Sequence, residues 1–488
     1  MPDQPLFKFY LFTLLWMPIP AGSNWPWAWM LLQVMVFSMT SVWLLLYLKG
    51  KVKCNSAFKG ARIAIILLGM WLLWVMLQLL PIPISWLELI APHSYELAQQ
   101  GAEITGLTFN TANITVDSQL SFNKLMFSIT LVTFFMLSIV LLNSRRRVKW
   151  LLWLIVGSAL FQSVFGSLMT LSGIEHHLFG AKQHFRGVAT GTFINRNHLA
   201  GYLEMSLAIG IGLLLSQLKD TSQSSWHQLL RNWVGVLLDK KMLLRVMLAI
   251  IVIGLVLTRS RMGNTAFFSS LLLSGFLWVA FSSQGLKRNT IILFVSLILV
   301  DLFIVGQWFG IEKVIDRIEK VSVETETRDE VFESVLVAIP DYGFAGSGLG
   351  TFRTVYPAYR NIKHPRTTHY AHNDYLQFAL EGGIGAALLA AVVLMALLIA
   401  LRAIRNRRDP LYRGLGFASL MGIIAILIHS TSDFNLQIPA NAMMFMLLLA
   451  LAWVAAFGQK GNFSFHPCIN ELKRNDAGKE QNCPSTKV

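Results

Sequence analysis

The residue types in this chain best suited to chemistry, arginine and histidine, recur as short clusters between residues 195 and 440. Thr258-Arg259-Ser260-Arg261 sets two guanidinium groups two positions apart, and Asn195-Arg196-Asn197-His198 joins a guanidinium to an imidazole. Arginine binds phosphate oxygens through a planar fork that a point charge does not reproduce. An anionic ligand is therefore one reading of Arg196, Arg259 and Arg261; for Arg259 and Arg261 snorkelling towards lipid phosphates is the competing one. Arg328 stands in Thr327-Arg328-Asp329-Glu330, a capping-box pattern that predicts a helix start. A cation in a first turn opposes the macrodipole and makes best sense beside an anion held by the exposed backbone N–H groups. Neutralisation by Asp329 and Glu330 is the competing reading.

Farther on, His369-Tyr-Ala-His372-Asn373-Asp374-Tyr375 leads into an apolar run, with Asn373, Gln377 and Glu381 at steps of four on one helix face. Polar groups entering a membrane helix are costly and usually face a cavity or a partner. His364, His369 and His372 lack Cys or carboxylate ligands at recognised zinc spacing, so no metal site is assigned. Gly343, Gly346, Gly348 and Gly350 precede no Gly-Lys-Ser/Thr, which favours a tight turn over a nucleotide loop. Asp433 lies in His429-Ser-Thr-Ser-Asp433-Phe-Asn435-Leu-Gln437-Ile-Pro439, a short connection dense in polar groups, for which turn and capping chemistry is the bland account. Cys54, Cys468 and Cys483 show no metal spacing, and no disulfide is expected.

The elements that must position these groups follow from composition. The 488 residues are 54% hydrophobic and only 14% charged, with mean hydropathy +0.54, which points to the bilayer as solvent and leaves no room for a large soluble catalytic domain. Apolar runs fall near 6–20, 26–48, 61–80, 125–143, 150–172, 198–217, 242–258, 263–283, 290–309, 383–401, 414–430 and 440–457, predicting an all-α polytopic bundle of about 12 transmembrane helices. The net charge of +15 would suggest nucleic acid in a soluble protein. Here most Lys and Arg fall on one set of loops, which the positive-inside rule makes cytoplasmic, and 81–123 and 431–439 hold none. Histidine partitions the other way, with His93, His176, His177, His184, His198, His364, His369, His372 and His429 outside or at outer helix ends. The largest outer segment, 310–371, has two apolar stripes at helical spacing, Ile311–Val321 and Val331–Ile339, that suit amphipathic helices lying on the membrane surface. The chain divides into N-terminal transmembrane helices (1–190), a membrane core with the outer loop (191–457) and a cytoplasmic tail (458–488) expected to be disordered.

In order and placement, Asn195-Arg196-Asn197-His198, Thr258-Arg-Ser-Arg261, Arg328 ahead of the glycine stretch, His372-Asn-Asp-Tyr and Asp433-Phe-Asn resemble the O-antigen ligase and O-antigen polymerase (Wzy) superfamily of bacterial integral-membrane glycosyltransferases. The resemblance covers roughly 195–440; the first 190 residues match in hydrophobic layout alone. It implies transfer of a glycan from undecaprenyl-pyrophosphate to an acceptor hydroxyl, on a glycan or on lipid A core, at the periplasmic face of the bacterial inner membrane, with neither cofactor nor metal. It also implies His372 as the catalytic histidine, Arg261 (with Arg259 beside it) and Arg328 as pyrophosphate ligands, and Arg196 and Asp433 as further substrate-binding positions. Guanidinium groups would offset charge developing on the leaving pyrophosphate, and a histidine suits a base at near-neutral pH. A protein O-glycosylating ligase of the same superfamily and a non-enzymatic transporter of lipid-linked glycan remain the alternatives. The sequence does not choose ligase from polymerase.

Overall fold

The structure, a computed structural model, describes residues 2–106, 108–178, 180–218, 240–281, 322–360 and 368–458. It is built from helices; the described strands are two-residue antiparallel pairs, Ile82–Pro83 with Thr111–Ala112 and His176–His177 with Gly180–Ala181. Nine helices among the described residues are long and apolar enough to cross a membrane, and the chain is a multi-pass membrane protein. The helices run α1 (Gln4–Trp16), α2 (Pro26–Leu48), α3 (Ser56–Gly60), α4 (Arg62–Leu79), α5 (Ile84–Ile90), α6 (Pro92–Thr105), α7 (Ser118–Leu141) and α8 (Arg145–Leu171). They continue with α9 (Arg196–Leu215), α10 (Lys240–Leu257), α11 (Arg261–Ala280), α12 (Ser322–Tyr342), α13 (Phe352–Tyr359) and α14 (Asp374–Gly382). The last three are α15 (Ala386–Asn406), α16 (Pro410–His429) and α17 (Pro439–Phe457).

Two helices form the axis of the bundle. Every residue of α9 from His198 to Leu215 is buried, as expected of a helix apolar on all sides. Against it lies α16, and Gly212 and Gly414 face each other so closely that a Cβ on either would strike the other's carbonyl oxygen. Without water to drive association, such small-residue contacts are what let membrane helices pack. α17 is buried almost throughout and fills the space beside them, while α2, α4 and α15 form the rim with Leu44, Leu45, Ile66, Leu73, Leu394 and Leu398 exposed.

The two ends of the bundle differ. One end gathers the basic helix termini: Arg147 holds Asp3 through two bonds of 2.7 and 2.8 Å, Arg145 pairs with Asp409, and Arg407 donates to the carbonyls of Ala455 and Gly458. The opposite end, called outer here, carries the starts of α9, α11, α14 and α17 and the helices α5, α6, α12 and α13, which are not among the candidate spans.

Several expectations are corrected in detail. α1 is 13 residues long, shorter than a usual span, because Pro18 and Pro20 stop it. The run 290–309, the stripe Ile311–Val321, His364 and the tail from 459 lie outside the described residues. α12 packs Val331, Val335 and Ala338 against Phe352, Val355 and Leu380, so its expected membrane-facing stripe is in part a protein contact; Leu336 and Val337 are left exposed. α14 does not run straight into the next span: a turn of 3-10 helix at Gly383–Gly385 separates it from α15.

Candidate functional site

The outer ends of α9, α11, α14 and α16 meet at Asp433. This residue sits in the connection between α16 and α17, 1% exposed. Its Oδ1 accepts from the Phe434 N–H at 2.8 Å and lies 3.9 Å from His198 Nε2. Oδ2 lies 3.9 Å from His429 Nε2. His429 Nδ1 in turn meets Glu204 Oε1 at 3.1 Å, both side chains being fully buried. Burial alone would raise the Asp433 carboxyl, but the imidazoles of His198, His429 and His372 and the Phe434 N–H together hold it below the ordinary aspartate value.

Phe434 is the ring around which the site is organised. His198 and His372 approach it edge-on with centroids at 4.7 and 4.9 Å, and Tyr370 stacks on it at 4.3 Å. These are favourable aromatic geometries, and they fix both imidazoles without consuming their nitrogens. His198 Nε2, His372 Nδ1, His429 Nε2, Glu204 Oε2 and Asp433 Oδ2 are buried with no hydrogen-bond partner among the described residues. Such atoms are normally satisfied, and so many of them around one carboxylate mark a place that a ligand or water completes. His372 also has φ +52°, a left-handed backbone that ordinary residues avoid. Burial, assisted by the positive charge of Arg328, pushes its pKa below the usual histidine value against the opposing pull of Asp433.

The backbone carrying His372 is held from both sides. Asn373 caps α14 by accepting from the Leu376 N–H and donates to the Thr431 carbonyl. Asp374 accepts from Ser430 Oγ at 2.9 Å and the Leu436 N–H at 3.1 Å, tying the helix start to the Asp433 connection. The polar stripe is present: Gln377 accepts from the Ala371 N–H and donates to Glu381, whose carboxylate also accepts from the N–H groups of Gly350 and Phe352. That last pair locks the glycine stretch, where Gly343, Gly346, Gly348 and Gly350 all have positive φ.

The arginines stand around this centre. Arg259 (φ +53°) and Arg261 flank Ser260, the N-cap of α11, in the tight turn between α10 and α11. A Cβ on Gly263, one turn along, would approach the His429 ring at 3.3 Å, so this turn borders the buried cluster. Arg328 is close enough to His372 to act on its charge. Its setting differs from expectation: α12 begins at Ser322, so Arg328 lies past the first turn and the capping box is not a helix start. Among the described residues Arg259, Arg261 and Arg328 have no carboxylate partner within salt-bridge distance, which Asp329 and Glu330 were the plain candidates to supply. Arg196 opens α9 with its guanidinium 5.9 Å from the Phe185 ring centroid. The described residues hold no group of three His, Cys, Asp or Glu arranged for a metal ion.

Residues 246–390 match the family model described as O-antigen ligase. This region is similar to the O-antigen ligase family. The match takes in Arg259, Arg261, Arg328 and His372 and stops short of His198, Glu204, His429 and Asp433. No curated protein matches the chain. The family carries O-antigen ligase-type function in polysaccharide biosynthesis, a glycosyltransferase-like activity whose substrates are in general a lipid-linked glycan and a polysaccharide acceptor.

Sequence reasoning assigned no role to Glu204, His198, His429 or Phe434. The signal for Glu204 was present, since it is the one carboxylate in the 198–217 apolar run, and an ionisable residue inside a span is by default a functional hypothesis.

Proposed function

We propose that the protein transfers a glycan from undecaprenyl-pyrophosphate to an acceptor hydroxyl at the periplasmic face of the bacterial inner membrane, as ligase or polymerase in surface polysaccharide synthesis. The observation that carries this reading is the siting of Arg259, Arg261 and Arg328, without carboxylate partners among the described residues, around a buried imidazole and carboxylate cluster at one end of the bundle. Cations placed on the end from which positive charge is otherwise depleted suit an anionic substrate, and the O-antigen ligase match covers all three.

In the proposed reaction the acceptor oxygen attacks the anomeric carbon, the carbon–oxygen bond to pyrophosphate breaks, and the hydroxyl proton passes to His372. The negative charge left on pyrophosphate is balanced by the arginines, so no metal is required. The lowered pKa of His372 keeps it neutral, as a base must be. A single displacement of this kind inverts the anomeric centre. A lipid-linked donor is further supported by an apolar cavity of about 600 Å³ between α4, α7, α15, α16 and α17, whose polar end is formed by Lys124, Asp374, Ser430 and Gln437.

The test is substitution of Arg261 and Arg328 by Lys. Each keeps the charge and loses the bidentate fork, so each should lose most transfer; near-normal polymer from Arg328→Lys at matched protein level refutes the pyrophosphate clamp. Glycan banding in a deletion strain separates the two activities: long carrier-linked polymer indicates a ligase, single repeat units a polymerase.

A further inference from the structure

A second, smaller cavity of about 210 Å³ opens beside the first at the outer end, on the other side of Lys124 and Gln437. It is polar where the first is apolar. Its wall brings together Asn24 from the turn before α2, Trp29 on α2, Asn123 and Lys124 on α7, Tyr370 just ahead of His372, and Gln437 ahead of α17. These come from four distant stretches of chain. The turn bearing Asn24 is seated by Gly22, whose φ is +67° and where a Cβ would meet the Phe193 ring at 2.6 Å, so the edge of the cavity is fixed by packing.

The hydrogen-bonding capacity of this wall is largely unspent. Among the described residues no partner is found for the Asn24 amide, the Trp29 indole N–H or the Tyr370 hydroxyl, and Asn123 uses only its oxygen, which accepts from Gln119 at 3.4 Å. Lys124 Nζ donates one bond, to Gln437 Oε1 at 2.9 Å. A lining of this kind combines aromatic faces, which cover apolar C–H surface, with side-chain amides and a phenol that donate and accept to neighbouring hydroxyls. The ligand class with C–H faces and vicinal hydroxyls in one small ring is the saccharide. The volume corresponds to about seven waters, the scale of one monosaccharide. Tyr370 links the cavity to the reaction centre, since it stacks on Phe434 against which the His372 ring also packs.

We propose that the cavity walled by Asn24, Trp29, Asn123, Lys124 and Tyr370 is a saccharide subsite that holds one sugar unit of the transferred or the accepting glycan beside His372. The inference rests on the transferase reading and adds to it. Five of the six named residues, Asn24, Trp29, Asn123, Lys124 and Gln437, lie outside the O-antigen ligase match at 246–390, so sugar selection and bond chemistry are carried by different parts of the chain.

The experiment uses the full chain in nanodiscs made from host lipid. The probes are two oligosaccharides freed by mild acid from the host's own envelope: polysaccharide repeat units, and the glycan of the acceptor. Saturation-transfer NMR should show ring protons of one probe in contact with the wild-type protein, and which probe responds identifies donor or acceptor glycan as the source. Trp29→Ala and Asn123→Ala should each weaken that binding, by on the order of tenfold for the indole, and raise KM for transfer in membranes with kcat little changed. Trp27→Ala, an exposed indole on the same helix, should leave both readouts at wild type and controls for folding. Binding and KM unchanged in Trp29→Ala and Asn123→Ala, while Arg261 and Arg328 remain essential, overturns the subsite and leaves the transferase reading intact. Contact with neither probe also overturns it. Dispensable arginines would instead sink the reading on which it rests.

Discussion

Replacing His372 by Asn separates the chemical role of this residue from a structural one. The position has φ +52°, which Asn tolerates as well as any side chain other than Gly. The substitution removes the edge-on contact with Phe434 at 4.9 Å, a loss of about 0.5–1.5 kcal/mol. Nδ1, buried without a partner among the described residues, is replaced by a side-chain amide atom at nearly the same place, so the polar content of the position is kept. The net cost is then about 0.5–1.5 kcal/mol, so His372→Asn should fold and should unfold thermally only slightly earlier than the wild type. Transfer should fall by about 10²–10⁴, the contribution of a positioned general base. The assay pairs a thermal unfolding curve of the purified protein with polymer formed in membranes at matched protein level. Transfer within tenfold of wild type would refute the role as base; a variant that no longer accumulates would show the ring to be a pillar of the fold instead.

Because burial and Arg328 lower the His372 pKa, the acid limb of the transfer rate should lie below the free-histidine value of about 6.5; Arg328→Gln should move what activity remains towards higher pH, and Asp433→Asn towards lower pH, both read from pH–rate profiles. The same depression means that the unfolded chain takes up this proton first as pH falls, so His372 contributes stability above that value and loses it below, which a pH series of unfolding curves follows. Gly346→Ala should abolish a folded outer end, since φ is +72° and a Cβ would lie 2.6 Å from both the Glu381 carbonyl oxygen and the Gly383 nitrogen; normal transfer from this variant would contradict the described turn. Arg147→Ala should destabilise by about 3–5 kcal/mol by stranding the buried Asp3 carboxylate, measured by unfolding at fixed lipid. A cysteine placed at Asp341 should label from outside intact cells and one at Cys54 should not; protection at 341 would reverse the orientation.

How much of this was legible in the sequence depends on the range over which each signal acts. Spans were visible because twenty apolar residues form a local pattern, and the ends of α2, α4 and α17 fall within about one residue of their hydropathy limits, while α7 begins at Ser118, ahead of its run at 125–143. His372 and the polar stripe Asn373, Gln377, Glu381 were visible for the same reason. Arg328 misled because Thr-Arg-Asp-Glu satisfies a four-residue rule, yet α12 extends upstream to Ser322 and local capping loses to helix continuity. The cluster at Asp433 could be read locally only in part: His429 and Asp433 share one short stretch and Glu204 stands alone in its apolar run, but nothing local joins the two. Glu204 and His429 are 225 residues apart, and Trp29 and Tyr370, which line one cavity, are farther apart still, so their proximity exists only after helices have packed.

That separation also has a consequence for how the chain is made. α9 enters the membrane with Glu204 at its centre, and the imidazole that will accept or share its proton has not been synthesised. At ~5–20 residues per second, His429 follows roughly 10–45 s later. For that interval α9 must carry an uncompensated carboxyl in the bilayer or wait beside the insertion machinery, because a charged group at the middle of a span costs several kcal/mol. The Glu204–His429 bond therefore forms only once α16 packs against α9, and a truncated chain ending before residue 429, left with that carboxyl unmet, should be degraded faster than the full chain.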